Sequence, residues 1–314
     1  MGRRWPLEAD LMFGPGTLRT RLGELARARR AVAMPVPPAT ESHANGNSAS
    51  ALDGWPDASD APPRFVPDRQ GSVASAFAVG VETFLPGGEW RDERGAVYVH
   101  ERLRSDVEHP RPHWGRLDMP PEEEPDLVAA QSLGLGRALF LDLETGGFSS
   151  SPVFLAGTMH WNGSDFVLRQ YFARHYGEEA CLLRALAAGL AGFETLVTFN
   201  GKSYDVPFLR DRARLHRVAL PLPLRHLDLL HPARRRWRRL LPDCRLQTLE
   251  RWVCRRRRAG DVPSDEVPGL YHDFVRRGDP YRLIPVFHHN LLDVITMADV
   301  LRALCGPIRE PSVR

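Results

Sequence analysis

Ala138-Leu-Phe-Leu-Asp142-Leu-Glu144-Thr-Gly-Gly147 is the stretch on which the fold turns. A short apolar run ends in two carboxylates two residues apart and then breaks at a glycine pair. Read as a β-strand it alternates faces with period two, so Asp142 and Glu144 share a side with Ala138 and Phe140. Leu139, Leu141 and Leu143 take the other side. Two like charges side by side at a sheet edge are unfavourable unless a cation sits between them. Alone, the pattern also suits a strand that ends in polar residues before a turn, so the rest of the chain decides.

Working outward, Val153–Trp161 and Phe166–Phe172 read as two further strands, joined by the turn-prone Asn162-Gly-Ser-Asp165. Glu178–Leu190 reads as a helix, with Leu182, Leu183, Leu186 and Leu190 on one face and acidic residues at its start. Thr195–Phe199 is a fourth strand, and the chain after residue 204 reads mainly helical. Three hairpin-like strands, a helix and another strand give the order of a ribonuclease H-like α/β fold, a mixed central sheet flanked by helices.

The fourth strand runs into Asn200-Gly-Lys-Ser-Tyr-Asp205, which puts Asp205 in the first turn of a helix, where the helix dipole favours an acid by up to ~1 kcal/mol. Gly201-Lys202-Ser203 is not a phosphate loop, because the upstream glycine of that motif would be residue 196, a leucine. Near the C-terminus, Asp293 shares a helical face with Met297, Val300 and Leu304. A carboxylate on a buried face costs several kcal/mol unless paired or metal-bound. His288 and His289 precede it. On a continuous helix His289 lies one turn from Asp293 and His288 is turned away; if Asn290 caps the helix, either histidine can swing in. Four acids from three separated segments can hold two divalent cations ~3.5–4 Å apart, the arrangement that brackets an in-line phosphoryl displacement. Oxygen ligands favour Mg²⁺ or Mn²⁺ over zinc, and a histidine suits proton removal from water near neutral pH.

Asp142-Leu-Glu144, Asn200-Gly-Lys-Ser-Tyr-Asp205 and His289-Asn-Leu-Leu-Asp293 resemble, in order and in element, the three motifs of the DEDD exonuclease superfamily. His226-Leu-Asp228-Leu-Leu-His231-Pro-Ala-Arg-Arg resembles its YprB-like, ribonuclease H-like branch. The resemblance covers roughly residues 137–305. It implies a 3′–5′ exonuclease with Asp142, Glu144, Asp205 and Asp293 as ligands of two Mg²⁺ or Mn²⁺ ions. The H-N-x-x-D pattern selects His289 as the base, whereas the subclass with a histidine five residues before its aspartate selects His288. Thr145, Asn200, Lys202, Tyr204 and Asp228 are expected on the substrate path. Many superfamily members read D-x-E-T-T-G where this chain has Thr145-Gly146-Gly147, a departure that spares the ligands and bears on contacts to the terminal nucleotide.

Eleven arginines lie between Pro232 and Arg258, with Trp237 and Trp252 among them. Such a run suits phosphate contact and base stacking on a single strand, and Arg234, Arg235, Arg255 and Arg256 are the expected contacts to the 3′ end of a DNA or RNA. The net charge is only +3, and Lys202 is the sole lysine. The four cysteines show no zinc-like spacing, and no apolar run is of membrane length. A cytoplasmic protein without a membrane partner is expected. The Pro-, Ser- and Ala-rich residues 1–78, apart from a short helix over Leu18–Arg30, are expected to be disordered. Residues 79–130 read as a small strand-rich lead-in, including Val81–Leu85 as a strand, followed by an acidic linker over Pro120–Pro125. Residues 137–305 form the catalytic domain and 306–314 a tail. The competing reading is a catalytically silent nucleic-acid-binding module or adaptor.

Overall fold

The structure, a computed structural model, describes residues 80–108, 124–147, 150–258 and 260–306. The expected low-complexity region over 1–78, the tail beyond Gly306 and most of the acidic linker lie outside these residues. Among the described residues, seven strands form one sheet. They are β1 (Gly88–Asp92), β2 (Gly95–Leu103), β3 (Ala138–Thr145), β4 (Val153–Trp161), β5 (Phe166–Phe172), β6 (Thr195–Thr198) and β7 (Arg225–Asp228). Their order across the sheet is β1-β2-β5-β4-β3-β6-β7. β3 pairs antiparallel with β4 and parallel with β6, and β6 pairs parallel with β7. The lead-in strands β1 and β2 extend this same sheet, because β2 pairs antiparallel with β5.

The helices are α1 (Pro125–Leu133), α2 (Glu179–Leu190), α3 (Asp205–Leu215), α4 (Leu230–Trp237), α5 (Leu246–Trp252), α6 (Val267–Arg277) and α7 (Ile284–Cys305). The alternation of β3 decides which helices cover which face. Leu139 and Leu141 pack with Leu182, Leu183 and Leu186 of α2 and with Val206 and Leu209 of α3. The opposite face receives α6 and α7. There Phe154 stacks on Tyr271 at 4.0 Å between ring centroids, and Phe172 meets Phe287 edge-on at 4.9 Å. α7 is buried along most of its length, polar residues such as Asn290 and Asp299 included, as a helix enclosed by sheet and neighbouring helices is.

One local expectation fails for a visible reason. Val81–Thr83 is a short 3₁₀ helix, not a strand. Its apolar residues Val81 and Leu85 are four apart and both buried, and the Leu85 N–H donates to the Val81 carbonyl at 2.9 Å. The spacing is helical. β7 was hidden in a region that reads as helix, since Arg-His-Leu-Asp is too short to display an alternating pattern. Among the described residues no helix is long and apolar enough to cross a membrane.

Candidate active site

β3 carries Asp142 and Glu144 toward α7, on the face that the period-two reading assigns them. Asp142 lies opposite Gly157 of β4, and this glycine is required by the packing. A Cβ there would sit 2.2 Å from Oδ1 of Asn290, so only a residue without a side chain lets α7 come so close to the sheet. Asn290 is fully buried and donates from Nδ2 to Asp142 Oδ2 at 2.9 Å. It accepts in turn from Gln170 Nε2 of β5 at 3.0 Å. Where β3 ends, the pairing with β4 slips between Glu144 and Thr145. The following Gly146 is tied down by its N–H to Pro152 and by His272 Nε2 at its carbonyl, both 3.0 Å.

Asp205 arrives from the far side of β3. β6 stops at Thr198, so the end of β3 has no strand beside it there, and the N-terminus of α3 takes the place. The backbone of Leu143, between the other two acids, acts on the Asp205 carboxylate to lower its pKa, against a larger rise from burial. The turn that delivers it is sharp. Asn200 adopts a left-handed backbone with φ 66°, which asparagine tolerates better than most residues. Asp228, at the end of β7, fixes this turn by accepting the N–H groups of Asn200 at 2.7 Å and Lys202 at 2.9 Å, and that of Leu230 at 3.1 Å. Asp228, expected on the substrate path, is a buried brace of this turn. Lys202 and Tyr204 remain accessible, Tyr204 at 68% exposure, while Thr145 and Asn200 are half-buried at the ends of their strands.

α7 supplies the third side. It begins at Ile284, so both histidines lie inside the helix and the capping alternative for Asn290 falls away. His289 is one turn before Asp293, with Nε2 at 3.4 Å from Asp293 Oδ2. Its Nδ1 meets Asp261 Oδ1 at 2.8 Å, and Ser264 Oγ lies 3.4 Å from Nε2. Arg258 donates to the other oxygen of Asp293, to Glu250 at 2.5 Å and to Asp261 at 3.3 Å. His288 points elsewhere. It is buried, neither ring nitrogen has a hydrogen-bond partner, and burial lowers its pKa to about 4. A neutral ring in that position is a core residue.

The electrostatics divide along the same lines. Burial raises Asp142 well above the carboxylate range, and repulsion from Asp293, Glu144 and Asp205 adds to it. Glu144 is pushed up to about 8 by burial against a favourable His289, with Asp293 and Asp205 adding to the rise. Asp205 rises to about 7, mainly through burial. His289 is raised to about 9: its hydrogen bond to Asp261 and the surrounding acids outweigh the burial that alone would lower it. Asp261 is held below its ordinary value by His289 and Arg258, despite burial. Among the described residues no three His, Cys, Asp or Glu side chains close into a ready metal cage. The donor set still fits a hard divalent cation. It is all oxygen, it comes from three elements, and its acids crowd one another enough to retain protons near neutrality.

The basic segment behaves differently from its sequence reading. Arg256, expected at the nucleic acid, is buried and pairs with Asp299 at 2.7 Å while touching Thr296 Oγ1 at 3.2 Å. Asp299 also receives buried Arg104 at 2.8 Å. Arg236 donates to the Leu304 and Gly306 carbonyls at the end of α7. Trp237, expected to stack on bases, is in the core. Arg235 is exposed but bonded to Glu124. Arg234, Arg238, Arg239, Arg251, Arg255 and Arg257 remain at the surface.

Four residues that the sequence did not single out complete the site: Glu250, Asp261, Asn290 and Gln170. Asn290 alone had a signal, its place inside H-N-x-x-D. A model of the RNase_H_2 family, described as RNase_H superfamily, matches residues 139–305. The chain is 33% identical over 175 residues to "Uncharacterized protein YprB" of Bacillus subtilis (strain 168), a match covering 54% of this chain and 42% of that one. The chain thus spans under half the length of that relative. A family B DNA polymerase from the archaeon Pyrobaculum calidifontis aligns with a TM-score of 0.43 at 17% identity, over 52% of this chain and 23% of that one.

Proposed function

The chain belongs to the RNase_H superfamily, and on that premise we propose that it is a divalent-metal-dependent 3′–5′ exonuclease of the cytoplasm, with residues 137–305 as its catalytic domain. The observation that carries the reading is the crowding of Asp142, Glu144 and Asp205 at the end of β3. Burial raises all three, and repulsion from neighbouring acids, Asp293 in each case, adds to it, which is a site short of positive charge. Asp142, Glu144, Asp205 and Asp293 would hold two Mg²⁺ or Mn²⁺ ions, which when bound activate water and stabilise a leaving 3′-oxygen.

The chain's own residues do the rest. In its neutral form, His289 takes the proton from the attacking water at Nε2, as the water oxygen bonds to phosphorus and the phosphorus–O3′ bond breaks with its electron pair on oxygen. Solvent protonates that oxygen. Exposed Tyr204 and Lys202 flank Asp205 on the approach to the site, and Thr145 and Asn200 line it at the strand ends. The surface arginines, Arg234 and Arg255 among them, meet phosphates of a DNA or RNA strand.

One observation favours the silent binding module instead. Arg258 already satisfies one oxygen of Asp293, so part of the charge is compensated without any metal. Incubation with end-labelled DNA and RNA oligonucleotides in Mg²⁺, Mn²⁺ or EDTA separates the two. Metal-dependent shortening from the 3′ end is the expected result. Binding without shortening of any substrate would establish the module.

A further inference from the structure

Asp261 sits in the loop between α5 and α6, outside every motif that marks the site. We propose that Asp261 is the positioning residue for His289, fixing which ring nitrogen carries the proton and so leaving Nε2 free to act as the base. The proposal rests on the exonuclease reading above and adds a residue to it. A neutral imidazole has one N–H and one lone pair, and a base is useful only if the lone pair faces the water. Nδ1 of His289 faces Asp261 Oδ1 at 2.8 Å. An ionised carboxylate only accepts, so it holds the proton on Nδ1. Nε2 then opens toward Ser264 Oγ and Asp293 Oδ2, each 3.4 Å away.

The other oxygen of Asp261 explains why the arrangement is directional. Oδ2 accepts from Gln247 Nε2 at 3.2 Å and from Arg258 at 3.3 Å. Both partners can only donate at those atoms. An asparagine at 261 would turn its single oxygen toward these two donors and leave its NH₂ facing His289 Nδ1. That NH₂ must find an acceptor, so the ring would carry its proton on Nε2 instead. The isosteric change therefore reverses the tautomer and removes the base without removing a side chain, the same logic that governs an aspartate behind a catalytic histidine in hydrolases. Arg258 contributes to both sides of this device, since it also holds Asp293.

The test uses the full chain with end-labelled oligonucleotide and Mn²⁺ or Mg²⁺, together with ¹⁵N shifts of the histidine ring nitrogens. His289 signals are assigned by comparison with His289→Gln, and spectra are taken without metal above the His289 pKa, where the ring is neutral. The wild type should show the Nδ1–H tautomer. Asp261→Asn should show the Nε2–H tautomer, with kcat lowered about 100-fold, the low end for a lost general base, and KM unchanged. Asp261→Glu, which keeps an acceptor, should recover most of kcat and the Nδ1–H form. An Nε2–H ring in the wild type overturns the proposal without any variant, so a poorly folding Asp261→Asn does not shield it. Wild-type turnover that Asp261→Asn leaves intact also overturns it. Absence of wild-type turnover overturns the exonuclease reading itself and this inference with it.

Discussion

The two sides of the site are built on opposite principles. On the β3 side, Asp142, Glu144 and Asp205 are relieved only in part, Asp142 by Asn290, Asp205 by backbone N–H groups and Glu144 by His289, and all three are raised. On the α7 side, Asp293 and His289 are enclosed by Arg258, Asp261 and Glu250, a ring in which each charge has an opposite partner. One side keeps protons on its crowded acids, the other pairs its charges from within. On the proposed reading, a site that binds cations yet folds without them distributes its charge in this way. The β3 half carries repulsion that a metal would relieve, and the α7 half supplies rigidity that does not depend on metal.

The sharpest way to break this contrast is to remove an acid from the β3 side. Asp142→Asn should lower oligonucleotide turnover by orders of magnitude, while metal-free thermal unfolding occurs at the same temperature or higher, because a like-charge contact is gone. A variant with wild-type turnover in Mg²⁺ would place the chemistry elsewhere.

The mirror experiment removes the internal cation of the α7 side. Arg258→Met leaves Asp293 and Glu250 buried without their partner, and breaking a buried pair costs roughly 3–5 kcal/mol. Denaturant unfolding should report that loss, and adding Asp293→Asn should recover part of it. A cost under ~1 kcal/mol, typical of a surface pair, would mean the ring does not brace the fold.

Acidity distinguishes the halves more gently. Glu144 at about 8 and Asp205 at about 7 keep protons that the unfolded chain releases near its ordinary carboxylate values. Their contribution is complete below about pH 4 and is lost as pH rises through 7 to 8. His289, raised to about 9, loses its share over the same direction, from about 6.5 upward. Asp261 and Glu179, both lowered, work in reverse and cost stability only in acid. The metal-free protein should therefore melt at its highest temperature near mild acidity and progressively lower toward pH 9. Glu144→Gln should flatten the decline, and a melting temperature that climbed from pH 5 to 8 would contradict the assignment.

The smallest effect belongs to the surface. Replacing exposed Arg234, Arg238 and Arg239 with serine should leave turnover at saturating oligonucleotide unchanged. The salt dependence of binding should flatten by about 0.7 for each phosphate that a single strand no longer has neutralised. An unchanged slope would put the strand on another face.

What was legible in the chain was whatever depends on short spacing. The face shared by Asp142 and Glu144, the helical start at Asp205 and the one-turn step from His289 to Asp293 are local periodicities, and a sequence displays them directly. The Arg258–Asp293 and Asp261–His289 partnerships join residues 35 and 28 positions apart through an irregular loop, and no pattern announces them. The run Arg255–Arg258 misled for a related reason. Four identical residues look like one surface, yet Arg256 and Arg258 turn inward while Arg255 and Arg257 turn out. Composition could not reveal that two of them are structural counterions. β7 was illegible because a four-residue strand buried mainly through Leu227 and Asp228 has no room to repeat.

The clamp of Arg104 and Arg256 on Asp299 carries a consequence in time. The loop that holds Arg258 and Asp261 is fastened through Arg256 to the middle of α7, the most deeply enclosed helix among those described. Loops beside a binding site usually open locally, at free energies well below that of global unfolding. This one cannot swing clear without extracting a buried guanidinium. The backbone N–H of Arg256, bonded to the Glu250 carbonyl at 3.0 Å, should accordingly exchange with deuterium only as fast as the whole domain unfolds. The positioning of the histidine would then last as long as the fold itself.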